Sequence, residues 1–260
     1  MNTPENLCVV IGGANGIGAS CCEVLAAQGW KIAVVDLDKS AAQRVADAVG
    51  GMAYSLDISD LQAVEQLAEL IETQQGAPNG LVVAAAAFQE KYSPDEVPIE
   101  LIRGVLKVNF EGAFYANRVF ASKMARRGRG SIVNIASIAG QNSSPQHIYG
   151  PTKAAVISIT KNFAAQYGKS GVRVNSVSPG AVVVPRVLAR ATGRYAVDID
   201  SQMALGRRIQ PNEIANGVAF LVSDLASAIT GTDLLIDAGW SVANSWHLFG
   251  GVPGPVERES

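Results

Sequence analysis

A glycine-rich turn near the start of the chain constrains the fold more than any other sequence feature. The apolar run Leu7–Ile11 leads directly into Gly12, Gly16 and Gly18, which precede a predicted helix. In such a turn the first glycine permits a sharp bend, the second lets backbone approach a pyrophosphate, and the third allows close helix packing. Amide groups at the helix N-terminus favour an anion. The turn therefore predicts a dinucleotide-binding strand–turn–helix unit, with an ordinary strand-to-helix turn as the alternative.

The rest of the chain alternates between short apolar runs and longer amphipathic stretches. Helical spacing predicts helices over about residues 99–127 and 149–168, and a capping box from Ser59 to Gln62 predicts the start of another. This alternation indicates an α/β fold, namely a single Rossmann-type doubly wound parallel sheet with helices on both faces. The sequence contains no internal repeat and no linker, so residues 1–260 are predicted to form one domain. The seven predicted strands are Leu7–Ile11, 31–35, 52–56, 81–86, 131–136, 172–177 and Asp233–Ile236.

Composition and charge exclude several classes of function. A net charge of -2 over 260 residues leaves no basic footprint for nucleic acid. No apolar run approaches the ~20 residues that a membrane span needs, and the first residues do not resemble a signal peptide. The spacing of Cys8, Cys21 and Cys22 suits no metal site. We therefore expect a cytoplasmic protein with packing thiols, no metal, and no membrane or nucleic-acid partner.

The chemistry is predicted to lie between Ser137 and Lys153. Tyr149 and Lys153 are four residues apart, so a helix that begins near Tyr149 would place both side chains on one face. An ammonium group close to a phenol lowers the phenol pKa from its usual value of about 10. Ser137, at the end of an apolar run, is placed to hydrogen-bond the oxygen that Tyr149 protonates or deprotonates. A tyrosine and a lysine on a helix surface can have the same spacing by chance. Motifs in the rest of the chain must therefore decide whether this pair is catalytic.

Two carboxylates follow strands beside the glycine turn. Asp36 ends the second predicted strand, where an acidic side chain can accept hydrogen bonds from both adenosine ribose hydroxyls. Its charge repels a 2′-phosphate, and the turn carries Asn15 rather than a basic residue, so the sequence predicts NAD rather than NADP. Capping of the strand-end turn is the alternative for Asp36. Asp57 ends the third strand, and we assign it either to the adenine edge or to a loop cap.

Together these motifs resemble the short-chain dehydrogenase/reductase family over nearly the whole chain. The glycine turn matches the family's G-x-x-x-G-x-G, and Asn109, Ser137, Tyr149 and Lys153 match its catalytic tetrad. The resemblance implies that Tyr149 donates and accepts the proton, that Lys153 lowers its pKa and holds the nicotinamide ribose, and that Ser137 polarises the substrate oxygen. It implies that Asn109 anchors a water that relays protons to Lys153. A mid-helix asparagine that bonds its own backbone is the alternative.

The resemblance also implies which residues hold the cofactor. Residues 178–180, Ser-Pro-Gly, match the family's segment beside the nicotinamide, and residues 205–211 and 237–239 match its late signatures. Val182 is implied to offer its backbone to the carboxamide. The full predicted cofactor set is Gly12, Asn15, Gly16, Ile17, Gly18, Asp36, Leu37, Asp57, Ile58, Ala84, Ala85, Tyr149, Lys153, Pro179, Gly180, Val182 and Val184.

The chain departs from the family pattern in a few places. Ile11 and Val184 stand where the family usually has threonine, and Ala238 stands where it has a late glycine. Residues 83–86, Val-Ala-Ala-Ala, replace Asn-Asn-Ala-Gly, whose asparagines tie neighbouring strands. We therefore expect a less rigid end to the fourth strand and one hydrogen bond fewer to the carboxamide. No catalytic group is lost.

The sequence constrains the substrate side less than the cofactor side. Phe88 and Gln89, after the fourth strand, are pocket candidates, as are Gln141, His147 and Arg186. For His147, packing within its loop is the alternative.

The segment 183–205 resembles the variable lid of the family. Within it, Arg186, Arg190 and Arg194 share a helical face that either attracts an anionic substrate or is simply solvated. The tail 240–260 either covers a neighbouring subunit's active site or docks on its own chain. Because the helices predicted over 99–127 and 149–168 pair between subunits in the family, we expect a homotetramer, with a dimer as the second choice.

Three functions are compatible with these residues. The first is an NAD-dependent dehydrogenase that interconverts a secondary alcohol, preferably cyclic, and its ketone. The second is an epimerase or dehydratase with tightly held NAD, although such relatives usually carry a longer C-terminal substrate domain. The third is an NAD-sensing binding protein without turnover, which the altered fourth-strand motif favours and the intact tetrad opposes. An enoyl reductase usually spaces its tyrosine and lysine further apart.

Overall fold

A computed structural model describes residues 6–90, 92–184 and 198–254. Its strands are β1 Leu7–Ile11, β2 Lys31–Asp36, β3 Met52–Ser55, β4 Gly80–Val83, β5 Gly130–Ile135, β6 Val172–Pro179 and β7 Asp233–Ile236. All pair in parallel, in the order β3-β2-β1-β4-β5-β6-β7. The predicted α/β class and doubly wound parallel sheet are confirmed. The strand order reverses between β1 and β4, and in such sheets ligands bind at the carboxyl ends beside that point.

Two layers of helices cover the sheet because successive strand residues point to opposite faces. The helices are α1 Gly16–Ala27, α2 Lys39–Val49, α3 Leu61–Gln75, α4 Ile99–Leu106, α5 Ala113–Arg126, α6 Tyr149–Tyr167, α7 Pro211–Val222 and α8 Trp240–Ala243. Helices α3, α5 and α6 share one apolar core with Val9 and Ile11 of β1, whereas α1, α2 and α7 share a second core with Cys8 and Val10. Within the described ranges, no helix has the length and apolarity to cross a bilayer.

The apolar run predicted as a strand over 81–86 leaves the sheet earlier. Strand β4 ends at Val83, and the N–H groups of Ala84 and Ala85 both donate to the Ile11 carbonyl, at 2.8 and 3.0 Å. The backbone therefore turns at this point towards the switch between β1 and β4. The apolar character of the next residues reflects a cleft wall rather than a strand.

The helix predicted over 99–127 contains a wide turn. Helix α4 passes into α5 through a π-helical stretch, Lys107–Gly112, which carries the buried Asn109. Such stretches are rare and often occur at functional sites, because they redirect a side chain out of the regular helical register.

The capping box predicted from Ser59 to Gln62 is wrong. Asp60 is the N-cap of α3, and its carboxylate accepts the backbone N–H groups of Gln62 and Ala63 at 2.9 and 3.2 Å. Ser59 instead donates its hydroxyl to Asp57, at 2.6 Å. A carboxylate accepts a hydrogen bond more strongly than a hydroxyl, which explains why the acidic residue takes the cap.

Ala238 lies in a strained backbone conformation. Among the described residues it is the one non-glycine with a positive φ, 55°. A Cβ atom in the left-handed region costs about 1–2 kcal/mol, partly offset by the extra chain entropy of glycine. We expect Ala238→Gly to raise the free energy of unfolding by about 0.5 kcal/mol, measured by urea denaturation. The control Ala243→Gly, in α8, should lower it; a lower stability in Ala238→Gly would contradict the strain.

Candidate active site

A cleft of about 770 Å³ opens at the carboxyl ends of the strands, around the switch between β1 and β4. Every residue of the predicted cofactor set lines this cleft, and so do Ser137 and Phe88. The structure thus brings the glycine turn, Asp36 and the Tyr149–Lys153 pair to one continuous surface. The cleft is also lined by apolar residues that the sequence did not predict there, because an apolar side chain does not distinguish a cleft wall from a core. These residues are Ile11, Leu56, Ala86, Ala87, Val108, Ile135, Ala136 and Ala181.

The glycine turn is packed too closely to hold side chains. Gly12 has φ 84°, and a Cβ there would lie 2.4 Å from the Ala85 nitrogen; a Cβ on Gly18 would lie 2.0 Å from the Gly12 oxygen. Asn15 is the N-cap of α1, but its side chain caps no N–H of the first turn among the residues described. The start of α1 is therefore a cradle of backbone amides that fits a pyrophosphate group.

Asp36 lines the cleft at the end of β2. Its two carboxylate oxygens accept the backbone N–H groups of Ala14 and Asp38, at 3.1 and 3.2 Å. These bonds fix the carboxylate between the glycine turn and the loop after β2. Each carboxylate oxygen has two lone pairs, so further acceptor capacity remains for ribose hydroxyls. Asp36 thus makes the hydrogen bonds that the turn-capping interpretation predicts. It also lines the cleft, as the ribose-binding interpretation requires.

Asp57 also lines the cleft, but its hydrogen bonds are those of a loop cap. Its carboxylate accepts the Ser59 hydroxyl and the Ser59 backbone N–H, and these bonds hold the pKa of Asp57 below its usual range. One of the two roles predicted for Asp57, the loop cap, is therefore present in the structure.

Tyr149 is the first residue of α6, and Lys153 lies one turn later on the same face. Both side chains are buried, and the Lys153 Nζ lies 5.6 Å from the centroid of the Tyr149 ring. The Lys153 ammonium donates to the Ile135 carbonyl at the end of β5, at 2.7 Å. This bond holds a cation beside the phenol, and a nearby cation stabilises a phenolate.

Ser137 occupies the turn that follows β5. It is the N-cap of a short 3₁₀ turn, Ile138–Gly140, and its hydroxyl oxygen accepts the Ala139 N–H at 3.1 Å. Because the oxygen acts as an acceptor in this bond, the hydroxyl proton can still donate to a substrate oxygen in the cleft.

Two glycines let the Ser137 turn press against α6. A Cβ on Gly140 would lie 2.7 Å from backbone atoms of Lys153 and Ala154, and one on Gly150 would lie 2.8 Å from the Ala139 oxygen. The relative position of the serine hydroxyl and the phenol therefore depends on the absence of these side chains.

We expect Gly140→Ala to separate the Ser137 turn from α6. The added methyl group meets backbone, which cannot yield as a side chain tip can, so the turnover number should fall about 100-fold, as misplacement by ~1 Å can cause. The melting temperature should fall as well. The control Gly168→Ala, at the other end of α6, adds a methyl into open space and should leave turnover unchanged. Equal turnover in both variants would contradict this packing argument.

Asn109 joins the loop after β4 to the helices. Its Oδ1 accepts the Ala87 N–H at 2.7 Å, and its Nδ2 donates to the Ala87 carbonyl and to Thr152 Oγ1, at 2.9 and 3.2 Å. The alternative that Asn109 bonds its own backbone is therefore wrong. These bonds anchor the segment after β4, where the family's asparagines are missing. The backbone there is therefore held more firmly than the sequence predicts.

The substrate candidates separate in the structure. Phe88 lines the cleft, and its ring stacks on Tyr149 with centroids 4.7 Å apart and planes at 25°. Gln89 is buried outside the lining, whereas Gln141 and His147 are exposed and also outside it. The Gln141 amide donates to Asp233 instead. The predicted residues Arg186, Arg190 and Arg194 lie outside the described residues.

Within the described ranges, the structure contains no group of three or more histidine, cysteine, aspartate or glutamate side chains that could hold a metal ion. The three cysteines are buried free thiols. Burial raises the pKa of Cys22 to about 12, with a smaller contribution from the charge of Glu23. These thiols are therefore protonated packing groups at neutral pH.

The chain is similar to known proteins over most of its length. A family model described as Enoyl-(Acyl carrier protein) reductase matches residues 12–241. Among curated relatives, a 2,5-dichloro-2,5-cyclohexadiene-1,4-diol dehydrogenase of Sphingobium indicum is 37% identical over 240 residues, which cover 90% of this chain and 96% of that protein. A D-threitol dehydrogenase of Mycolicibacterium smegmatis is 31% identical over 240 residues, which cover 90% and 92%.

Solved structures share the fold over almost the whole chain. One described as a ribose-5-phosphate isomerase from Brucella melitensis 16M has a TM-score of 0.92 at 40% identity, covering 97% of this chain and 98% of its own. A short-chain type dehydrogenase/reductase from Mycobacterium ulcerans has a TM-score of 0.87 at 27% identity, covering 93% and 92%.

Proposed function

This chain belongs to the short-chain dehydrogenase/reductase family and is an oxidoreductase that acts on CH–OH groups, and from this premise we propose that it uses NAD(H) with Tyr149 as general acid and base. The observation that carries the proposal is the continuous cleft, which is lined by Asp36 at the end of β2 and, on the other side of the switch between β1 and β4, by the Ser137, Tyr149 and Lys153 side chains. The backbone cradle at Gly12 and Gly18 fits the pyrophosphate.

Each of these three polar side chains has a separate task in the proposed reaction. The Ser137 hydroxyl donates a hydrogen bond to the substrate oxygen and so holds that oxygen beside Tyr149. In alcohol oxidation the Tyr149 phenolate takes the hydroxyl proton, and in ketone reduction the phenol returns it. Lys153, held by the Ile135 carbonyl, supplies the positive charge that stabilises the phenolate. When bound, the nicotinamide accepts or supplies the hydride.

The surroundings of Tyr149 support proton transfer within a protected site. Phe88 covers one face of the phenol ring, at a centroid distance of 4.7 Å, and Tyr149 itself is 7% exposed. Water is therefore kept from much of the ring, and electrostatic interactions with Lys153 are stronger than in bulk solvent. Asn109 holds the Ala87 backbone, and in our proposal it also anchors a water that passes protons to Lys153.

NAD rather than NADP is the proposed cofactor. The Asp36 carboxylate is fixed by Ala14 and Asp38 and is placed for the hydroxyls of the adenosine ribose. Leu37, which follows it, is 72% exposed and offers no cation to a 2′-phosphate.

The proposed substrate is a secondary alcohol on a ring, with a cyclic diol as the first case. Apolar residues line the cleft, among them Ala87, Phe88 and Val108, and Phe88 stacks on Tyr149. The diol and polyol activities named for the two curated relatives support a hydroxylated substrate, in one case cyclic and in the other acyclic.

A substrate panel tests the proposal. Purified protein is mixed with NAD at alkaline pH and with cyclic alcohols, cyclic diols, acyclic polyols, hydroxysteroids and sugars, and NADH formation is followed by absorbance. We expect turnover to be fastest with a cyclic secondary alcohol or diol and slower with NADP. NAD binding without turnover on any member would favour the NAD-sensing alternative, and turnover confined to acyclic polyols would overturn the ring preference.

The proposed assembly is a homotetramer. Apolar side chains on α4, the π-helical stretch and α5 are partly exposed, with Phe110 at 40% and Phe114 at 38%. Association through this surface would bury them, which supports pairing of these helices between subunits. Light scattering after size-exclusion chromatography distinguishes a tetramer from a dimer or monomer.

The proposal includes three further assignments. Residues 1–260 are proposed to form one catalytic domain, with a substrate lid at 183–205 and a tail at 240–260; of these segments, 185–197 and 255–260 lie outside the described residues. The small-molecule alcohol or ketone is the partner, rather than a nucleic acid or a membrane. The protein works in the cytoplasm, which the three buried free thiols support, because reducing compartments preserve them.

A further inference from the structure

Gln89 contacts the start of the helix that carries Tyr149. Its side chain is completely buried, and its Oε1 accepts the backbone N–H groups of Ile148 and Tyr149 at 2.7 and 3.1 Å. Both partners are donors, so the amide oxygen rather than the nitrogen must face the helix. The hydrogen-bonding pattern therefore fixes the orientation of this amide.

Helix α6 depends on Gln89 because it has no capping side chain at Ile148. The Gly150 N–H donates to the Gln146 carbonyl at 3.0 Å, and Pro151 has no N–H to satisfy. The Thr152 N–H begins the regular helical bonds, to Ile148. The two remaining N–H groups belong to Ile148 and Tyr149, and a residue sixty positions earlier than Tyr149 satisfies both.

The nitrogen of the Gln89 amide, unlike its oxygen, is in an unfavourable environment. Its Nε2 is buried and has no hydrogen-bond partner among the residues that the structure describes. A buried unsatisfied donor destabilises the folded state. Exceptions of this kind are concentrated at functional sites, where local stability is exchanged for geometry. The contacts that the structure gives to this side chain are those of its oxygen with the catalytic helix.

The segment 87–89 is anchored on both sides of Phe88. Asn109 bonds both backbone groups of Ala87, and Gln89 bonds the start of α6. Between these anchors, Phe88 stacks on the Tyr149 ring. Gln89 therefore connects the wall that covers the phenol to the backbone that carries it.

We propose that Gln89 is a positioning residue, whose side-chain oxygen holds the Tyr149 backbone so that the phenol oxygen reaches the substrate oxygen. This inference rests on the proposed role of Tyr149 as proton donor and acceptor. Proton and hydride transfer are both sensitive to small displacements, and ~1 Å of misplacement can slow a reaction about 100-fold.

Gln89→Met tests the proposal, because methionine has a similar length but no comparable acceptor. We expect kcat for alcohol oxidation, per NAD-binding site counted by calorimetric titration, to fall about 10- to 100-fold. The KM for NAD should stay within about threefold, because Gln89 lies outside the cleft lining and its side-chain hydrogen bonds go to α6 rather than to the cofactor cradle. The primary deuterium isotope effect on kcat, measured with alcohol deuterated at the reacting carbon, should increase because hydride transfer becomes slower.

Two further variants separate positioning from folding. Gln75→Met removes a hydrogen bond to the Tyr54 hydroxyl, 2.9 Å long and outside the cleft lining, and should leave kcat per site and the isotope effect unchanged. Gln89→Glu keeps an acceptor oxygen at the same reach and should recover most of the lost kcat at alkaline pH. If Gln89→Met does not fold, Gln89→Asn, which is too short to reach both N–H groups, replaces it in the same comparison.

Unchanged kcat per site and an unchanged isotope effect in the Met or Asn variant would overturn the positioning role. A loss explained entirely by fewer NAD-binding sites would do the same, because only folding would then have changed. Activity that survives Tyr149→Phe would instead overturn the proposed function, so the two failures are distinguishable.

Discussion

Tyr149→Phe is expected to lower kcat for alcohol oxidation about 1,000-fold, within the range that general acid–base catalysis contributes. The substitution removes one oxygen and keeps the ring, which stacks on Phe88 with centroids 4.7 Å apart. The start of α6 should also keep its form, because Gln89 holds it through backbone N–H groups. The lost activity therefore reports the phenol group itself.

Steady-state NADH formation measures the loss of kcat, and calorimetric titration measures the dissociation constant for NAD. The dissociation constant for NAD should change by less than about threefold, because the cofactor cradle and Asp36 are untouched. Tyr54→Phe is the matched control: its hydroxyl bonds Gln74 at 3.0 Å, away from the cleft, and its loss should leave kcat unchanged. A Tyr149→Phe enzyme with more than a tenth of wild-type turnover would show that another group moves the proton.

Asp36→Ala is expected to change the ratio of kcat/KM values for NAD and NADP by about 100-fold in favour of NADP, which corresponds to ~2.8 kcal/mol. The variant loses the acceptor for the ribose hydroxyls and the charge that repels a 2′-phosphate. Two unit charges 4 Å apart near a protein surface repel by about 4 kcal/mol, so the expected change is within what electrostatics can supply.

The two Asp36 carboxylate oxygens also hold the Ala14 and Asp38 N–H groups, one bond to each oxygen, so a second variant must disturb these bonds less than Asp36→Ala does. Asp36→Asn is close in shape, removes the charge and keeps one oxygen, and therefore one of the two bonds, so it should give an intermediate ratio. Kinetics with both cofactors decide the point in wild type and variants. A wild-type enzyme at least as efficient with NADP as with NAD would contradict our cofactor assignment.

The strands could be predicted because their boundaries are chemically marked. Strands β1 and β7 have the predicted bounds, and each is followed within three residues by a glycine with positive φ, Gly12 and Gly239. The fourth strand was predicted too long because Ala84, Ala85 and Ala86 are as apolar as a strand. An apolar cleft wall and a buried strand give the same local pattern, and only tertiary structure separates them.

Two groups of residues that line the cleft could each be predicted to lie together because their motifs are local. Gly12, Gly16 and Gly18 lie in one turn, and Tyr149 and Lys153 lie one helical turn apart. By contrast, Gln141 and His147 lie in the loop before the tyrosine, and nearness in sequence does not fix where a loop side chain lies in space. Both are exposed outside the cleft lining.

The contacts that position Tyr149 could not be predicted because they join distant parts of the chain. Phe88 and Gln89 lie about sixty positions before the helix that they touch, and no spacing rule connects them to it. Asn109 reaches Ala87 from a π-helical stretch that has no recognisable sequence pattern. These contacts follow from the order of β4 and β5 in the sheet rather than from any motif.

The pH dependence of kcat/KM for alcohol oxidation at saturating NAD, compared between wild type and Lys153→Met, tests the central account most directly. A cation 5.6 Å from the phenol ring centroid favours the phenolate, so its removal should raise the pKa of Tyr149. We expect the pH of half-maximal kcat/KM to rise by at least about one unit in the variant. The same half-maximal pH in both enzymes would contradict activation of Tyr149 by Lys153.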